Sequence, residues 1–483
     1  MNEQDFREWF ALSDDVIVKT YPVTQGGRVE RVTMVYCEGM VKKDMIDGLV
    51  LPNLQAFINS DYYQNEEALD LRTLLQLVKL TGKHVVDEMK LSVFAGQLIL
   101  FFENSQGIYS LDIAAPPNRT PEESSTETSI KGPRDGFIED VITNIALIRK
   151  RLATSSLCVE KILLGRRSNT VVALLYLGDI INESVLQEAK DRLQSIDVDA
   201  VISSAQLEEA LSGRSYSIFP MLNYTGRPDF VADSLLRGRF AIIVDGSPMV
   251  LVAPVTLTYI LDSPEDVHNP YYYVAFERLL RIIGLLISVL LPGLWISVSS
   301  FNLDQIPYQL VATISSSRLG LPLSGPMDFI IMLMLFELFR EAGARLPKVV
   351  GQTVTVVGGL IVGDAAIRSG ITSPTTLVVT SLSTISMYTL VNQNLAGTIT
   401  VLRIIILLIS TMFGIYGFMI SLMGLVLLMS TLESFGVPYL APISPPLFGE
   451  MIASLFSKTW KKLARRPIEL NTQDDTRQGS ESS

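Results

Sequence analysis

Thirty consecutive residues of the C-terminal half, Val401–Ser430, contain a single charged side chain, Arg403. As one helix they would reach about 45 Å, against a hydrocarbon thickness of about 30 Å. The segment must therefore tilt, enter the headgroups, or bend at Gly414, Gly417 or Gly424. A second apolar run, Leu279–Ser300, has 22 residues, with Arg278 and Arg281 at its start, Trp295 near its end and Pro292 as an expected kink. Arginine at the start of a span places that end in the cytoplasm, so this run is read as passing from inside to outside.

The rest of the chain differs sharply. Residues 1–276 hold 25 Lys+Arg and 38 Asp+Glu, a net −13, whereas residues 277–483 hold 14 and 12, a net +2. An acidic, water-soluble front half is joined to a sparsely charged back half. The N-terminus has neither a basic n-region nor an apolar h-region, so no signal peptide is expected and the front half is placed in the cytoplasm. The pI near 4.9 argues against a nucleic-acid partner. Two cysteines and two histidines argue against a disulfide scaffold, a Cys-rich zinc site and histidine-based catalysis.

The front half alternates strands and helices. Val16–Val23 and Val29–Tyr36 read as strands around Gln25-Gly26-Gly27, and Leu98–Phe102 with Ile108–Ile113 as a hairpin. Val159–Leu164 and Val171–Leu177 read as buried strands, and Phe240–Val244 with Met249–Ala253 as a second hairpin across Asp245-Gly246. Helical spacing marks Met40–Ile58, Ala68–Leu80, Phe137–Leu152 and Glu183–Leu193. Pro116–Ser129 is rich in Pro, Ser, Thr and Glu and reads as a linker. The expected fold class is multi-domain: an N-terminal α/β soluble region of two subdomains, then an α-helical polytopic membrane domain. The subdomains fall at 1–115 and 131–262, with a linker at 116–130 and a juxtamembrane helix at 263–278. The membrane domain covers 279–445, with about four to six segments, and a basic then polar tail occupies 446–483, its end from Glu469 expected to be disordered.

Chemistry is sparse. Glu139-Asp140 suits a helix start better than a metal site, Gly165-Arg166-Arg167 a solvated basic loop, and no phosphate-binding glycine motif is present. No catalytic residue, metal or cofactor is assigned.

Four features in or near the apolar half invite function. Ser263-Pro264-Glu265-Asp266 is a strong helix start, and the helix after it carries Tyr271, Tyr272, Tyr273 and Phe276, an aromatic band suited to headgroups or to coupling between domains. Glu337, Arg340, Glu341 and Arg345 stand three and four residues apart at the end of an apolar helix, where ionisable groups are paired. Thr375–Val391 is rich in Ser and Thr, which either bond between helices or line a wet path. Val349–Ile367 is built of small residues; Gln352 and Asp364 bracket the apolar run Val356, Val357, Gly358, Gly359, Leu360, Ile361 and Val362, with Gly363 beside it. Such a run fits either a hydrophobic gate or a tightly packed core helix. The candidate spans do not alternate consistently between sides, so Leu310–Ser316 or Pro438–Phe448 is expected to be re-entrant.

Four blocks then carry a resemblance: KGPRDGFIEDVITNIALIRKR (131–151), RGRFAIIVDGSPMVLVAP (237–254), SPEDVHNPYYY (263–273) and FELFREAGARLPKVVGQTVTVVGGLIVGDAAI (336–367). In this order and spacing they resemble the A-subunit of the spore germinant receptors, the GerA family, over about residues 130–450. The resemblance implies a protein of the spore inner membrane with no enzymatic activity. It implies a transporter-like B-subunit that binds germinant and a lipoprotein C-subunit as partners. It also implies a homo-oligomer around a pore that releases monovalent cations, which favours 349–367 as the pore-lining helix. The alternative is a non-conducting scaffold for the B- and C-subunits.

Overall fold

The computed structural model of the protein describes residues 1–25, 28–58, 75–81, 85–103, 106–117, 131–212, 217–346, 361–447, 449–451 and 465–477. Its first half is one topology used twice. Strands β1 (Val16–Gln25), β2 (Arg28–Cys37), β3 (Val78–Lys79), β4 (Gln97–Phe102) and β5 (Gly107–Asp112) form an antiparallel sheet in the order β1-β2-β4-β5-β3. Strands β6 (Leu157–Leu164), β7 (Thr170–Leu177), β8 (Asn223–Thr225), β9 (Phe240–Val244) and β10 (Val250–Ala253) form a second, in the matching order β6-β7-β9-β10-β8. Each unit opens and closes with a hairpin. Each closing hairpin is entered through a left-handed glycine, Gly96 (φ +89°) or Gly238 (φ +95°), a conformation that strains any other residue.

Side-chain alternation explains why both faces of the first sheet are buried. Val32, Met34 and Tyr36 with Leu98, Leu100 and Phe102 point to one face. Val35 and Cys37 with Ile99 and Phe101 point to the other, under Phe6, Phe94 and Ala146. Those three residues belong to α1 (Glu3–Trp9), α3 (Val85–Phe94) and α4 (Val141–Arg149), while α2 (Leu51–Ile58) covers the first face. The units join through backbone bonds from Asp14 N to Val159 O and from Val159 N to Leu12 O, both 2.9 Å. A fully buried Arg149–Asp15 pair at 2.7 Å lies beside them.

Several expectations change. Ala68–Leu80 is not helical where described: Val78–Lys79 pairs with β5, so tertiary pairing overrides the local pattern. Phe137–Leu152 shortens to α4, because Asp140 accepts the Thr143 N–H at 2.8 Å and fixes the start as N-cap. Asp245-Gly246 is the expected hairpin turn. Arg166 and Arg167 are exposed but pair with Asp197 and Asp199. Helices α6 (Ser204–Leu211) and α7 (Pro228–Leu236), beyond α5 (Glu183–Gln194), were not legible in the sequence.

The second half is helical: α8 (Tyr271–Ile296), α9 (Tyr308–Arg318), α10 (Gly325–Arg345), α11 (Pro374–Met387) and α12 (Gln393–Ser430), with 361–368 helical as well. Among the described residues two segments, Tyr271–Phe301 and Leu395–Ser430, are long and apolar enough to cross a membrane. The second is not one straight helix. Thr398 Oγ1 donates to Ile218 O at 2.6 Å, and Ser434 Oγ donates to Met221 O at 2.8 Å. An unbroken helix from Thr398 to Ser430 would span about 48 Å, whereas Ile218 and Met221 can be at most ~11 Å apart. The chain folds back at Gly414 (φ 62°, ψ −138°), a conformation open essentially only to glycine. The two arms touch where a Cβ on Gly417 would fall 2.4 Å from Ile409 O. Of the three glycines the sequence offered for a bend, Gly414 makes it.

The two segments offered as re-entrant take different structures. Leu310–Ser316 lies within α9. The described part of Pro438–Phe448 docks on the second sheet's unit: Leu257 N donates to Tyr439 O at 2.8 Å, and the Tyr439 ring lies 5.7 Å from Phe219. The described part of the tail, 465–477, docks there too, so residues 469–477 depart from the expected disorder. Gln473 N donates to Ile180 O at 2.9 Å, and Arg466 Nε to Leu236 O at 2.8 Å. In the first unit the corresponding carbonyl, Met40 O, is bonded instead by Ala115 N at 2.8 Å. Gly414→Ala should lower the thermal stability of the purified protein by the equivalent of about 1–3 kcal/mol. Gly424→Ala, where a Cβ would meet nothing within 4 Å, should leave it unchanged or raise it slightly. Equal effects of the two would contradict the fold-back at Gly414.

Candidate functional site

The junction between the soluble region and α8 is built on charge. Ser263 Oγ accepts the Glu265 N–H, and Ser263 N donates to Asp266 Oδ2, both at 3.3 Å. This capping box turns the carboxylate of Asp266 inward. The start signal read from the sequence therefore launches one short 3₁₀ turn, Pro264–His268. The aromatic residues sit on the first turns of α8, which begins anew at Tyr271.

Two arginines of α8, three residues apart and so on one face, meet this turn. Arg281 donates to both oxygens of Asp266 at 2.8 and 2.9 Å and to Leu261 O at 3.0 Å. Arg278 reaches Asp262 at 2.7 Å and Asp266 at 3.3 Å. Asp262 also holds Arg237 at 3.1 Å, Arg237 holds Asp233 at 2.6 Å, and Asp233 holds Arg477 of the tail at 2.5 Å. An unbroken chain of ion pairs thus runs from the tail, through α7, into the first membrane-length helix. Burial opposes the charge on Asp233, yet Arg237 and Arg477 hold its carboxyl below the usual range.

The aromatic band of the sequence reading is exposed. Tyr271, Tyr272, Tyr273 and Phe276 are 51, 67, 47 and 56% accessible. They are not part of the buried core among the described residues, and Arg278 and Arg281 make polar contacts of α8 with the soluble region instead.

The second charged group divides in two. Glu337 pairs with Arg340 at 2.7 Å and also with Arg403, which is wholly buried. Glu341 and Arg345 pair with each other at 2.7 Å, both largely exposed. Arg403, the lone charge of its apolar run, is the partner the sequence reading left unassigned. A buried arginine in such a run asks for a carboxylate, and Glu337 answers it.

Of the gate candidates, Gln352, Val356, Val357, Gly358, Gly359 and Leu360 lie outside the described residues. In the helical stretch 361–368, Gly363 and Ala366 face the bundle, with Gly363 against Leu377. Ile361 and Asp364 face outward, and Asp364 pairs with Arg368 at 2.8 Å. Val362 is half-buried. The Ser/Thr-rich helix α11 buries Thr376, Thr380, Ser383 and Thr384. Ser383 Oγ donates across to Ser288 O at 3.1 Å, so the interhelical reading of its hydroxyls holds there. Among the described residues no group of three or more His, Cys, Asp or Glu could hold a metal ion.

A family model described as Bacillus/Clostridium GerA spore germination protein matches residues 4–469. The chain is 40% identical to spore germination protein XA of Bacillus anthracis, over 99% of this chain and 97% of that one. It is 32% identical to spore germination protein KA of Bacillus subtilis (strain 168), over 97% and 86%. It is also 32% identical to spore germination protein GerLA of Bacillus cereus, over 98% and 96%. The solved N-terminal domain of the A subunit of the Bacillus megaterium spore germinant receptor GerK3 is similar over 52% of this chain and 92% of that one, at 26% identity and a TM-score of 0.39. With a family match over nearly its whole length and relatives of the same kind from end to end, the chain belongs to the GerA spore germination protein family, the A-subunit family of the spore germinant receptors.

Proposed function

We propose that this chain is the conducting A-subunit of a nutrient-germinant receptor in the spore inner membrane, its soluble region in the cytoplasm. Several copies surround an axis lined by residues 349–367 and release monovalent cations when germinant is sensed. A transporter-like B-subunit and a lipoprotein C-subunit complete the receptor. The observation that carries this reading is the ion-pair chain into α8, which gives the soluble region a rigid grip on a membrane-length helix.

The course of the chain supports it. Arg340 bonds Thr400, two residues from the contact of Thr398 with Ile218, so α10 ends near the soluble region. Ser373 N donates to Asp328 at 3.4 Å, so α11 starts level with the far end of α10. Arg345 and Ser373 therefore stand toward opposite ends of α10. The sequence between them contains the small-residue run, whose apolar middle is of the kind that closes a pore by dewetting.

In this reading a smaller or polar side chain at the gate leaks. Spores carrying Val357→Ser or Leu360→Ala are expected to germinate without germinant or to form poorly, with receptor levels measured in the same spores. Normal dormancy and an unchanged germinant response in both would favour the scaffold and overturn the gate.

A further inference from the structure

The Glu337 cluster does not balance. One carboxylate faces two guanidinium groups, so the site carries a net charge of +1. Arg403 is wholly buried, and its Nε has no hydrogen-bond partner. Among the described residues no second acid lies within ion-pair distance of Arg340 or Arg403. An uncompensated charge among apolar helices is costly, so an anion from outside the chain is called for.

Among the described residues, the cluster reaches the surface at Arg340. Arg340 retains 30% exposure. Thr400, which Arg340 bonds, also donates to Sδ of Met387 at 3.7 Å, and Tyr388, the next residue, is 57% accessible. The surface beside Tyr388 on α11 is apolar: Leu382 and Ile385, at three-residue steps before it, are 46 and 62% accessible. The level is also defined. Arg340 touches Thr400, just beyond the contact of Thr398 with the soluble region. Thr389, next to Tyr388, packs on Gly284, about 4.5 Å along α8 from Arg281. A guanidinium and a phenol open to an apolar surface, one turn inside the boundary, match the headgroup level of a bilayer.

We propose that Arg340 and Tyr388 form a site for the phosphate of an anionic phospholipid on the soluble-region side, where it neutralises the excess charge of the Glu337 cluster. The proposal rests on the membrane reading above but not on conduction, so its test uses binding alone.

The full-length protein would be purified in detergent and its thermal unfolding followed with phosphatidylglycerol, phosphatidylcholine or inorganic phosphate added. Retained lipid would be counted by native mass spectrometry, and membrane extraction would be checked separately. Phosphatidylglycerol is expected to raise the unfolding temperature and to be retained about fivefold over phosphatidylcholine. Arg340→Gln should abolish both effects, while Arg345→Gln, on the exposed neighbouring pair, should preserve them. Arg340→Gln should fold at least as well as wild type in phosphatidylcholine, because Glu337 and Arg403 then balance. Arg340→Lys should keep part of the preference.

Equal responses to the two lipids would overturn the proposal. So would the same stabilisation by inorganic phosphate, which would mark a free-anion site, or equal loss in Arg345→Gln, which would mark diffuse attraction. Full charge compensation by an acidic residue of a neighbouring subunit, without lipid, would also overturn it. Failure of the protein to fractionate with membranes would instead strike the reading beneath.

Discussion

Glu337→Gln is expected to lower the receptor's level in membranes severely. The substitution leaves Arg403 buried without any carboxylate and Arg340 without its partner. Breaking a buried pair from one side costs about 3–5 kcal/mol, whereas replacing both partners by apolar groups is often neutral. Glu337→Gln combined with Arg403→Met should therefore recover much of the loss. The exposed pair behaves otherwise: Glu341→Gln removes a partner from side chains 79 and 60% accessible, and the change should stay within about 1 kcal/mol. Thermal unfolding in detergent and protein level in membranes would both report this. Equal damage from Glu337→Gln and Glu341→Gln, or no recovery in the double variant, would contradict the buried pairing.

The second large effect is expected at Asp266. Its two oxygens hold Arg281 and one also holds Arg278, and its side chain closes the capping box with Ser263. Asp266→Asn keeps the shape and removes the charge, leaving buried Arg281 with only the longer contact to Glu277 at 3.5 Å. A loss of about 3–5 kcal/mol is expected. Asp262→Asn, one link back in the chain, leaves the Arg281 pair intact. It should preserve protein level while weakening the germinant response, since Arg237 and Arg278 then lose their common carboxylate. Germination rate per receptor is the quantity to compare. A response that falls only in proportion to protein level would make the chain of pairs a stability element alone. Tyr271→Ala with Tyr272→Ala should leave the melting temperature of the isolated chain unchanged, because both rings are about half exposed or more.

Much of the fold was legible in local signals. Turn chemistry at Gly26-Gly27 and Asp245-Gly246 located hairpins, and unbroken β-branched and aliphatic runs located β6 and β7. The duplication was written in the sequence but not read. Ala95-Gly96-Gln97 and Arg237-Gly238-Arg239 open the closing hairpins, and Ala115-Pro116 and Ala253-Pro254 follow them. The spacing differs because the first hairpin is longer, which hides the match from a fixed-period search. The two-residue strand β3 was illegible, because its pairing with β5 depends on residues about thirty positions away.

The site was half legible for a related reason. Glu337 and Arg340 were found because both lie on one helix. Arg403 is 66 residues from Glu337, so no spacing rule links them. The same holds for Asp262 and Arg237, and for Asp233 and Arg477. The arginines at the start of α8 were read as topology markers, and their acidic partners as a helix start. Each reading was locally sound, and only the fold brings the two signals together as one junction.

In the proposed function, copies of this chain surround an axis lined by residues 349–367. The most direct measurement is imaging of the purified full-length protein in lipid nanodiscs at a resolution that traces helices. A closed ring is expected, with residues 349–367 nearest the axis, the soluble regions on one face, and Arg340 on the outer, lipid-facing side. A monomer, or an assembly in which 349–367 packs away from any central axis, would contradict it.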